Sequence, residues 1–308
     1  MSSITNVGTK ANPKYRARYR TPDGASRSKT FARKVAAEQF LADVTVSVSD
    51  GSYVDRRESR TRFGEYARRW IDAQPHRATT AQGMETIYRK HIAPTFGHRP
   101  IGAIRTSEVQ AWVAGLDLAP STVNVVYGKL AAIFRAAVDD RVISSSPCSR
   151  RIRLPRQSGA EVVPMTPAQV RKMIDAVGGR CAALIVLLAG SGVRPGEALG
   201  LTNDRVEWLR RSIRIDRQLV TVAGAPPQLG PTKTESSVRT IPVPQAVLDE
   251  LARHVEQFGV GPDGLIFTDS KGDPIAGTRS ATSGDAQPTR RASAGSHRTI
   301  CATTQRAC

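Results

Sequence analysis

Arg194 and Glu197 are the residues whose types and spacing first suggest chemistry. Arg194 follows an apolar run that ends in Gly190-Ser191-Gly192, and a short amphipathic segment starts directly behind it. Pro195 suits a first helical position, so Glu197 falls in the first helical turn, where the helix dipole favours a carboxylate. A permanent cation in a tight turn between two buried helices costs desolvation energy unless it is used or well paired. Arg194 and Glu197 therefore either form a structural ion pair that joins two helices, or Arg194 is a cation with a role in the protein's function.

The composition indicates a polyanionic partner. The 308-residue chain has a net charge of +18 and a pI of about 10.6, and such a charge most often serves nucleic-acid binding. A merely basic protein and a protein that binds anionic lipid are the alternatives. The longest apolar run, residues 181–189, is too short to span a bilayer, and the N-terminus has no signal pattern, so no membrane association is expected.

Neither a metal nor another cofactor is expected. The four cysteines have no C-x-x-C spacing, and the five histidines are scattered along the chain. This cysteine usage fits a reducing cytoplasm.

Residues 1–56 are predicted to form a small three-stranded sheet followed by a helix. Two alternating segments, Tyr15–Arg20 and Ser26–Phe31, place their cations on one face; these cations are Arg16, Arg18, Arg20, Arg27 and Lys29. A sheet with one cationic face can lie in a DNA groove, where backbone phosphates set much of the affinity. An ordinary solvated strand face is the alternative.

Residues 60–145 are predicted to form an all-α domain of four helices. Apolar residues three and four positions apart mark helices around 63–71, 84–92, 109–116 and 123–137, and these apolar stripes form a core. The polar faces carry cations such as Arg89 and Lys129, which suit either solvent or a phosphate backbone.

Residues 146–160 are predicted to be a linker, because they are rich in Ser, Pro and Arg and have no periodicity. Arg151 and Arg153 could follow a DNA backbone, and a plain interdomain tether is the alternative.

Residues 161–276 are predicted to form a mixed α/β domain. It begins with the capping box Thr166-Pro167-Ala168-Gln169. Alternation predicts one or two strands over 212–222 and further strands over 238–243 and 265–267. Residues 277–308, by contrast, contain one large apolar residue, Ile300, and their composition predicts disorder.

Two motifs and the order of these parts resemble the tyrosine recombinases, and in particular the phage-type integrases of high-GC bacteria. The motifs are residues 190–197 with Leu199 and Leu201, and Pro231-Thr232-Lys233-Thr234 with Ser237 and Arg239. The resemblance covers roughly residues 8–275. It implies an α+β multidomain fold with an arm-type DNA-binding domain over 1–56, a SAM-like core-binding domain over 60–145 and a partial catalytic domain over 161–276.

The resemblance implies site-specific DNA breakage and rejoining for prophage integration or excision, without a metal. In this family a tyrosine attacks the phosphodiester and becomes linked to the 3′ phosphate, while guanidinium groups hold the non-bridging oxygens. By resemblance, Arg194 is the first of two such arginines, Glu197 is its structural support, and Lys233 is the general acid that protonates the 5′ oxygen. The implied partners are double-stranded attachment-site DNA, an accessory DNA-bending or directionality protein, and further copies in a tetramer. The implied location is the nucleoid in the cytoplasm.

The second half of the family's site is not found in this sequence. The family adds a second arginine in a His-x-x-Arg motif, a further His or Trp, and the nucleophilic Tyr, yet all six tyrosines precede Arg194. Back-translation of residues 298–304 with each codon started one base early permits His-Asp-Leu-Arg-His-Tyr. We therefore interpret residues 277–308 as a frameshifted reading of an integrase gene, which the nucleotide sequence tests.

The expected function is that of a phage-type integrase with an incomplete catalytic site, since loss of the nucleophile removes essentially all of the chemistry. A non-enzymatic DNA-binding remnant that occupies attachment-site DNA is one alternative. A basic protein unrelated to recombination is the other.

Overall fold

A computed structural model describes residues 2–275, except for residues 10, 23, 52, 56, 157, 158, 160–162 and 178. Helices and small antiparallel sheets alternate along the chain, so the predicted α+β class is confirmed. The chain divides into two compact units, residues 1–158 and 159–308. The segment interpreted as frameshifted, 277–308, lies outside the described residues. In the described part, no helix is long and apolar enough to cross a bilayer.

The first unit begins with a three-stranded sheet. Strands β1 (Ser3–Asn6), β2 (Tyr15–Arg20) and β3 (Ser26–Phe31) pair in antiparallel order, and helix α1 (Lys34–Ser49) follows. Ala17 of β2 is fully buried, and the Tyr19 ring packs edge-on against Phe40 of α1, with centroids 5.5 Å apart. Helix α1 therefore covers the face of the sheet to which Ala17 and Tyr19 belong.

Helices surround the larger core of the first unit. They are α2 (Phe63–Asp72), α3 (Ala78–Ile87), a π-helical turn (Tyr88–Ile92), α4 (Ala93–Phe96), α5 (Thr106–Ala114) and α6 (Pro120–Asp139). Phe63 and Phe134 pack against each other at the centre with tilted rings, whose centroids are 5.0 Å apart. The His91 carbonyl in the π-helical turn accepts a hydrogen bond from Trp112 Nε1 at 3.1 Å, which ties the turn to α5.

Part of the basic segment 146–160 packs onto this helical core. Ile152 is 9% exposed and belongs to the same hydrophobic cluster. The Gln110 side chain accepts from the Arg153 N–H at 2.7 Å and donates to the Arg153 carbonyl at 3.2 Å. This portion of the segment is therefore held in place by α5, and the domain boundaries drawn from the sequence stay a prediction.

The second unit is built from helices and two small sheets. Its helices are α7 (Pro167–Val177), α8 (Ala182–Ser191), α9 (Pro195–Leu199) and α10 (Gln245–Phe258). One sheet has the order β4 (Val206–Glu207), β5 (Ser212–Ile215), β8 (Arg239–Pro242), and the other pairs β6 (Arg217–Val220) with β7 (Gln228–Pro231). Residues 212–222 thus contain two strands, which belong to different sheets.

Local signals at the start of this unit are confirmed. The capping box forms, because the Gln169 N–H donates to Thr166 Oγ1 at 3.3 Å and the Thr166 N–H donates to Gln169 Oε1 at 2.8 Å.

The strand predicted over residues 265–267 is wrong. Leu265 makes an isolated bridge with Thr202, and the Ile266 N–H donates to the Leu201 carbonyl at 3.1 Å. A short apolar run signals burial, which packing supplies here without a regular strand.

The buried imidazole of His254 should make the second unit sensitive to acid. His254 is 3% exposed; its Nε2 donates to the Ile266 carbonyl at 3.0 Å. Burial lowers its pKa and outweighs the opposing effect of that hydrogen bond. Since the unfolded chain binds the proton more readily, the free energy of unfolding should fall as the pH drops below about 6.5, the ordinary pKa of histidine.

Urea unfolding at several pH values tests this expectation with His254→Gln, which removes the titrating group. The variant should lose stability less steeply than the parent below about pH 6.5. His98→Gln, at an exposed position, is the matched control and should keep the parental slope. Equal slopes for the parent and His254→Gln would contradict the prediction.

Candidate functional site

Arg194 lies at the N-terminus of α9. Gly192 ends α8 with a φ of 65°, a left-handed conformation that glycine adopts without steric cost. Helix α9 starts at Pro195, and the Arg194 N–H donates to Glu197 Oε2 at 3.1 Å. The predicted positions of Pro195 and Glu197 are therefore confirmed, and this turn fixes Arg194 beside the carboxylate.

The Glu197 carboxylate is shared by two arginines. Arg194 Nη1 donates to Oε1 at 2.7 Å. Arg239, the first residue of β8, donates from Nη1 to Oε1 at 3.2 Å and from Nη2 to Oε2 at 2.8 Å. Only 2% of the Glu197 side chain is exposed, so the two guanidinium groups replace water around a buried negative charge.

These hydrogen bonds determine the ionisation of the cluster. Burial alone would raise the pKa of Glu197, but hydrogen bonds from Arg239 and from both the backbone and the side chain of Arg194 lower that pKa to about 2. The carboxylate in turn raises the pKa of Arg239. The three residues therefore carry a net positive charge at neutral pH, and the Arg194 side chain, 59% exposed, brings it to the surface.

A buried serine contacts both arginines, one through its hydroxyl and the other through its backbone carbonyl. Ser237 is 5% exposed. Its Oγ accepts a hydrogen bond from Arg194 Nη1 at 3.3 Å and lies 2.8 Å from Thr234 Oγ1. Its carbonyl accepts from Arg239 Nη1 at 2.9 Å. Ser237 thus links the short stretch after β7 to the arginine pair.

Lys233 is exposed on a stretch whose backbone is anchored on both sides. Gln218 Nε2 donates to the Pro231 carbonyl at 2.9 Å. Thr232 is buried, and its Oγ1 donates to the Thr234 carbonyl at 3.0 Å. The Lys233 side chain therefore extends from a hydrogen-bonded stretch of main chain, four residues before Ser237, which contacts Arg194.

Helix α9 and strand β6 meet at Gly200. A Cβ atom at Gly200 would lie 2.6 Å from the Leu219 nitrogen, which is closer than side chains approach backbone atoms. At Gly196, which lies within α9 whereas Gly200 directly follows it, a Cβ would lie 3.5 Å from the nearest atom, an ordinary contact. The close approach at Gly200 joins the helix that begins behind Arg194 to the strand whose Gln218 holds Pro231.

The basic sheet of the first unit differs from the prediction. Ala17 faces Lys29 and Tyr19 faces Arg27 across the β2–β3 ladder, and cross-strand partners share a face. One cationic face made of all five residues is therefore wrong: Arg16, Arg18 and Arg20 lie on the face opposite to Arg27 and Lys29.

The two cations on the face that α1 covers have intramolecular partners. Arg27 forms an ion pair with Asp55 at 2.9 Å. The Lys29 ammonium lies 4.7 Å from the centroid of the Phe40 ring, a cation–π distance. The open cationic face is therefore that of β2, where the three arginines alternate with the residues that pack against α1.

The remaining cations considered for DNA contact are dispersed. Arg89 is exposed in the π-helical turn, Lys129 is half-buried in α6, and Arg151 and Arg153 are exposed after the helices. Their role at DNA stays a prediction. Within the described residues, no group of three or more His, Cys, Asp and Glu side chains could hold a metal ion.

The contact of Arg239 with Glu197 was not predicted. The two residues are 42 positions apart, so no helical or strand spacing connects them. The sequence offered one signal, the motif in which Arg239 follows Ser237 by two residues. This motif predicts that Arg239 lies on a strand, but it does not indicate that Arg239 contacts Glu197.

Comparisons with known proteins find integrases, the class of protein that the two motifs resemble. The family described as "Phage integrase, N-terminal SAM-like domain" matches residues 62–116. The integrase of Mycobacterium phage D29 is 24% identical over 301 residues, which cover 92% of this chain and 80% of that protein. Among solved structures, the integrase of transposon Tn1549 in complex with a circular intermediate DNA has a TM-score of 0.63 at 26% identity, covering 71% of this chain and 74% of that one.

A lambda integrase tetramer bound to a Holliday junction shares the fold, with a TM-score of 0.51 at 13% identity over 88% of this chain and 79% of that one. The family match lies within residues 60–145, the region predicted to be helical, and the alignments with the D29 and Tn1549 integrases cover most of the chain. This chain is therefore similar to phage integrases and tyrosine recombinases.

Proposed function

We propose that this chain is a phage-type site-specific recombinase acting in DNA integration or excision, and that the 308-residue polypeptide holds only the first half of the catalytic site. The observation that carries the proposal is the Arg194–Glu197–Arg239 cluster, a buried carboxylate with a net positive surface. Such a group is suited to hold a phosphodiester by its non-bridging oxygens. Lys233 would protonate the departing 5′ oxygen, as the family resemblance implies.

We propose double-stranded attachment-site DNA as the partner. The Tn1549 integrase was solved on DNA, and the lambda integrase was solved as a tetramer on a Holliday junction. By analogy, this chain would act as a multimer on DNA, with an accessory DNA-bending or directionality protein, at the nucleoid in the cytoplasm. Residues 1–56 and the four-helix domain over 60–145 would bind the duplex, residues 146–160 would connect them to the rest, and residues 161–276 would supply the partial catalytic domain.

Covalent trapping tests the incomplete site. Duplexes that bind the protein can be selected from genomic fragments, nicked to trap a covalent intermediate, and analysed on denaturing gels. We expect salt-sensitive binding without a protein–DNA adduct, because no tyrosine follows Arg194 in this polypeptide. The intact integrase of a relative on its own nicked site is the positive control.

Each other outcome of that experiment selects another function. An adduct would contradict the incomplete site. Equal affinity for selected and random duplex would favour a basic protein unrelated to recombination. Competition with an intact integrase for the same duplex, without cleavage, would favour the non-enzymatic remnant.

The open face of β2 should contribute more to DNA affinity than the face under α1. Arg18→Gln with Arg20→Gln removes two exposed cations, whereas Arg27→Gln with Lys29→Gln removes two cations that have partners within the protein. Neutralising two phosphate contacts should lower the slope of log affinity against log salt by about 1.8. We expect this change for the first pair and a clearly smaller one for the second.

Fluorescence anisotropy over a range of salt concentrations measures both slopes, and circular dichroism checks that each variant folds. Equal slopes for the two pairs would argue against the β2 face as a DNA contact.

A further inference from the structure

We infer that Arg239 is a positioning residue, which holds Arg194 so that one edge of its guanidinium group stays open for a phosphate. The inference rests on the proposed function, in which Arg194 binds a phosphodiester, and it adds the residue that orients this arginine. Arg239 acts through Glu197 and Ser237, each of which it contacts directly.

The Arg194 guanidinium is held through one of its nitrogens, Nη1. Its Nη1 donates to Glu197 Oε1 at 2.7 Å and to Ser237 Oγ at 3.3 Å. In the described part of the chain, its Nε and Nη2 have no hydrogen-bond partner, while more than half of the side chain is exposed. A guanidinium group has five N–H donors in a planar fork, so holding Nη1 leaves the Nε–Nη2 edge open for two oxygens of one anion.

Both residues that accept from Arg194 Nη1 also contact Arg239, Glu197 through its carboxylate and Ser237 through its backbone carbonyl. Arg239 Nη1 and Nη2 contact the two oxygens of the Glu197 carboxylate, and its Nη1 also contacts the Ser237 carbonyl at 2.9 Å. The terminal torsion of a glutamate is broad and weakly restrained. Without Arg239, only the Arg194 main chain and side chain would hold the carboxylate, the N–H at 3.1 Å on Oε2 and Nη1 on Oε1. The carboxylate would then be less restrained, and Arg194 Nη1 would lose a fixed acceptor.

The strand pairing fixes Arg239 in turn. Arg239 faces Ile215 across the β5–β8 ladder, and Ile215 is 2% exposed in the core. The Arg239 side chain is 33% exposed, against 59% for Arg194. Arg239 therefore turns two of its nitrogens inward to the carboxylate, whereas Arg194 presents its free edge outward.

Arginine-selective nitrogen NMR on the full 308-residue chain tests the positioning. Rotation of the Arg194 guanidinium should be hindered in the parent, giving distinct Nη signals. Arg239→Gln should merge these signals by freeing the rotation. Arg239→Lys should merge them in part, because an ammonium lacks the planar fork of donors that fixes both carboxylate oxygens. Arg214→Gln, on the neighbouring strand β5 and 57% exposed, is the matched control and should change nothing.

A mutant cycle in DNA affinity separates positioning from direct contact. Arg194→Gln and Arg239→Gln should each weaken binding by a similar factor, about 3-fold to 10-fold, and the double variant should lose no more than Arg194→Gln alone. Additive losses would show that Arg239 contacts DNA itself and would overturn the inference, as would distinct Nη signals in Arg239→Gln.

The two proposals fail in different ways. If Arg194→Gln leaves DNA affinity unchanged while Arg239→Gln still merges the Nη signals, the phosphate role of Arg194 fails and the positioning stands. If Arg239→Gln does not fold, as judged by circular dichroism, Arg239→Lys carries the same comparisons because it keeps the positive charge.

Discussion

Replacing Glu197 by glutamine should lower the free energy of unfolding of the second unit by about 3 kcal/mol, because it leaves two guanidinium groups around a neutral, buried amide. The amide can accept at one oxygen only, whereas the carboxylate accepts from Arg194 and Arg239 at both. Hydrogen–deuterium exchange of peptides from residues 182–201 measures the loss in the unit concerned.

Glu108 offers a matched control in the first unit. It accepts from the Arg105 N–H at 2.8 Å and from Arg99 Nη1 at 2.8 Å, so it shares with Glu197 a backbone donor three residues earlier and an arginine side-chain donor. Its side chain, however, is 35% exposed, and water can replace its partners. Glu108→Gln should therefore have a much smaller effect. Similar losses for the two variants would mean that the burial of Glu197 contributes little.

The same substitution should change the response to acid. Glu197 has its pKa lowered to about 2, while an unfolded glutamate titrates near 4.3. Its stabilising contribution is therefore complete above about pH 4.3 and is lost as the pH falls toward 2. Glu197→Gln removes this part of the acid sensitivity, so parent and variant should converge in stability at the lowest pH at which both still fold.

Gly200→Ala should destabilise the second unit by about 2–3 kcal/mol through overpacking. The backbone at Gly200 has a φ of −90°, which alanine adopts freely, so the expected loss comes from the contact and not from the conformation. The added Cβ would meet the backbone of Gln218 and Leu219 at less than 3 Å, and backbone atoms of a paired strand cannot move aside cheaply.

Gly196→Ala is the control for that variant, because it adds the same methyl group four residues earlier, within α9, at an ordinary contact distance. It should be neutral or slightly stabilising, since alanine favours helices over glycine. Urea unfolding of both variants measures the difference. If Gly200→Ala were as stable as Gly196→Ala, the strand would have to be free to shift, and β6 would not fix the stretch that bears Lys233.

Signals within a few residues predicted much of the arginine turn. Proline at a first helical position and a glutamate three residues after Arg194 both indicate the start of a helix. Because they lie within a single helical turn, their placement could be predicted without the rest of the chain. The alternation of Tyr15–Arg20 likewise identified a strand and its two faces.

Contacts between distant segments could not be predicted in this way. Whether Arg27 and Lys29 share a face with Arg16 depends on the pairing register of two strands, and a shift of one residue reverses every side chain. The partnership of Arg239 with Glu197 depends on how β8 is placed beside α9, which hydrophobic periodicity does not report. The resemblance to a family indicated which residues are candidates for the catalytic site, and the structure adds the hydrogen bonds between them.

The buried carboxylate also implies that the three residues of the cluster are under different evolutionary constraints. Two of them are needed for folding, and one is needed for the proposed DNA binding. Glu197 and Arg239 contact each other inside the fold, so any lineage that keeps a folded protein has reason to keep both. Arg194 is the most exposed member of the cluster, and under the proposed function its open edge binds a DNA phosphate. In a lineage that has ceased to cut DNA, we expect position 194 to diverge first, while 197 and 239 change rarely and together.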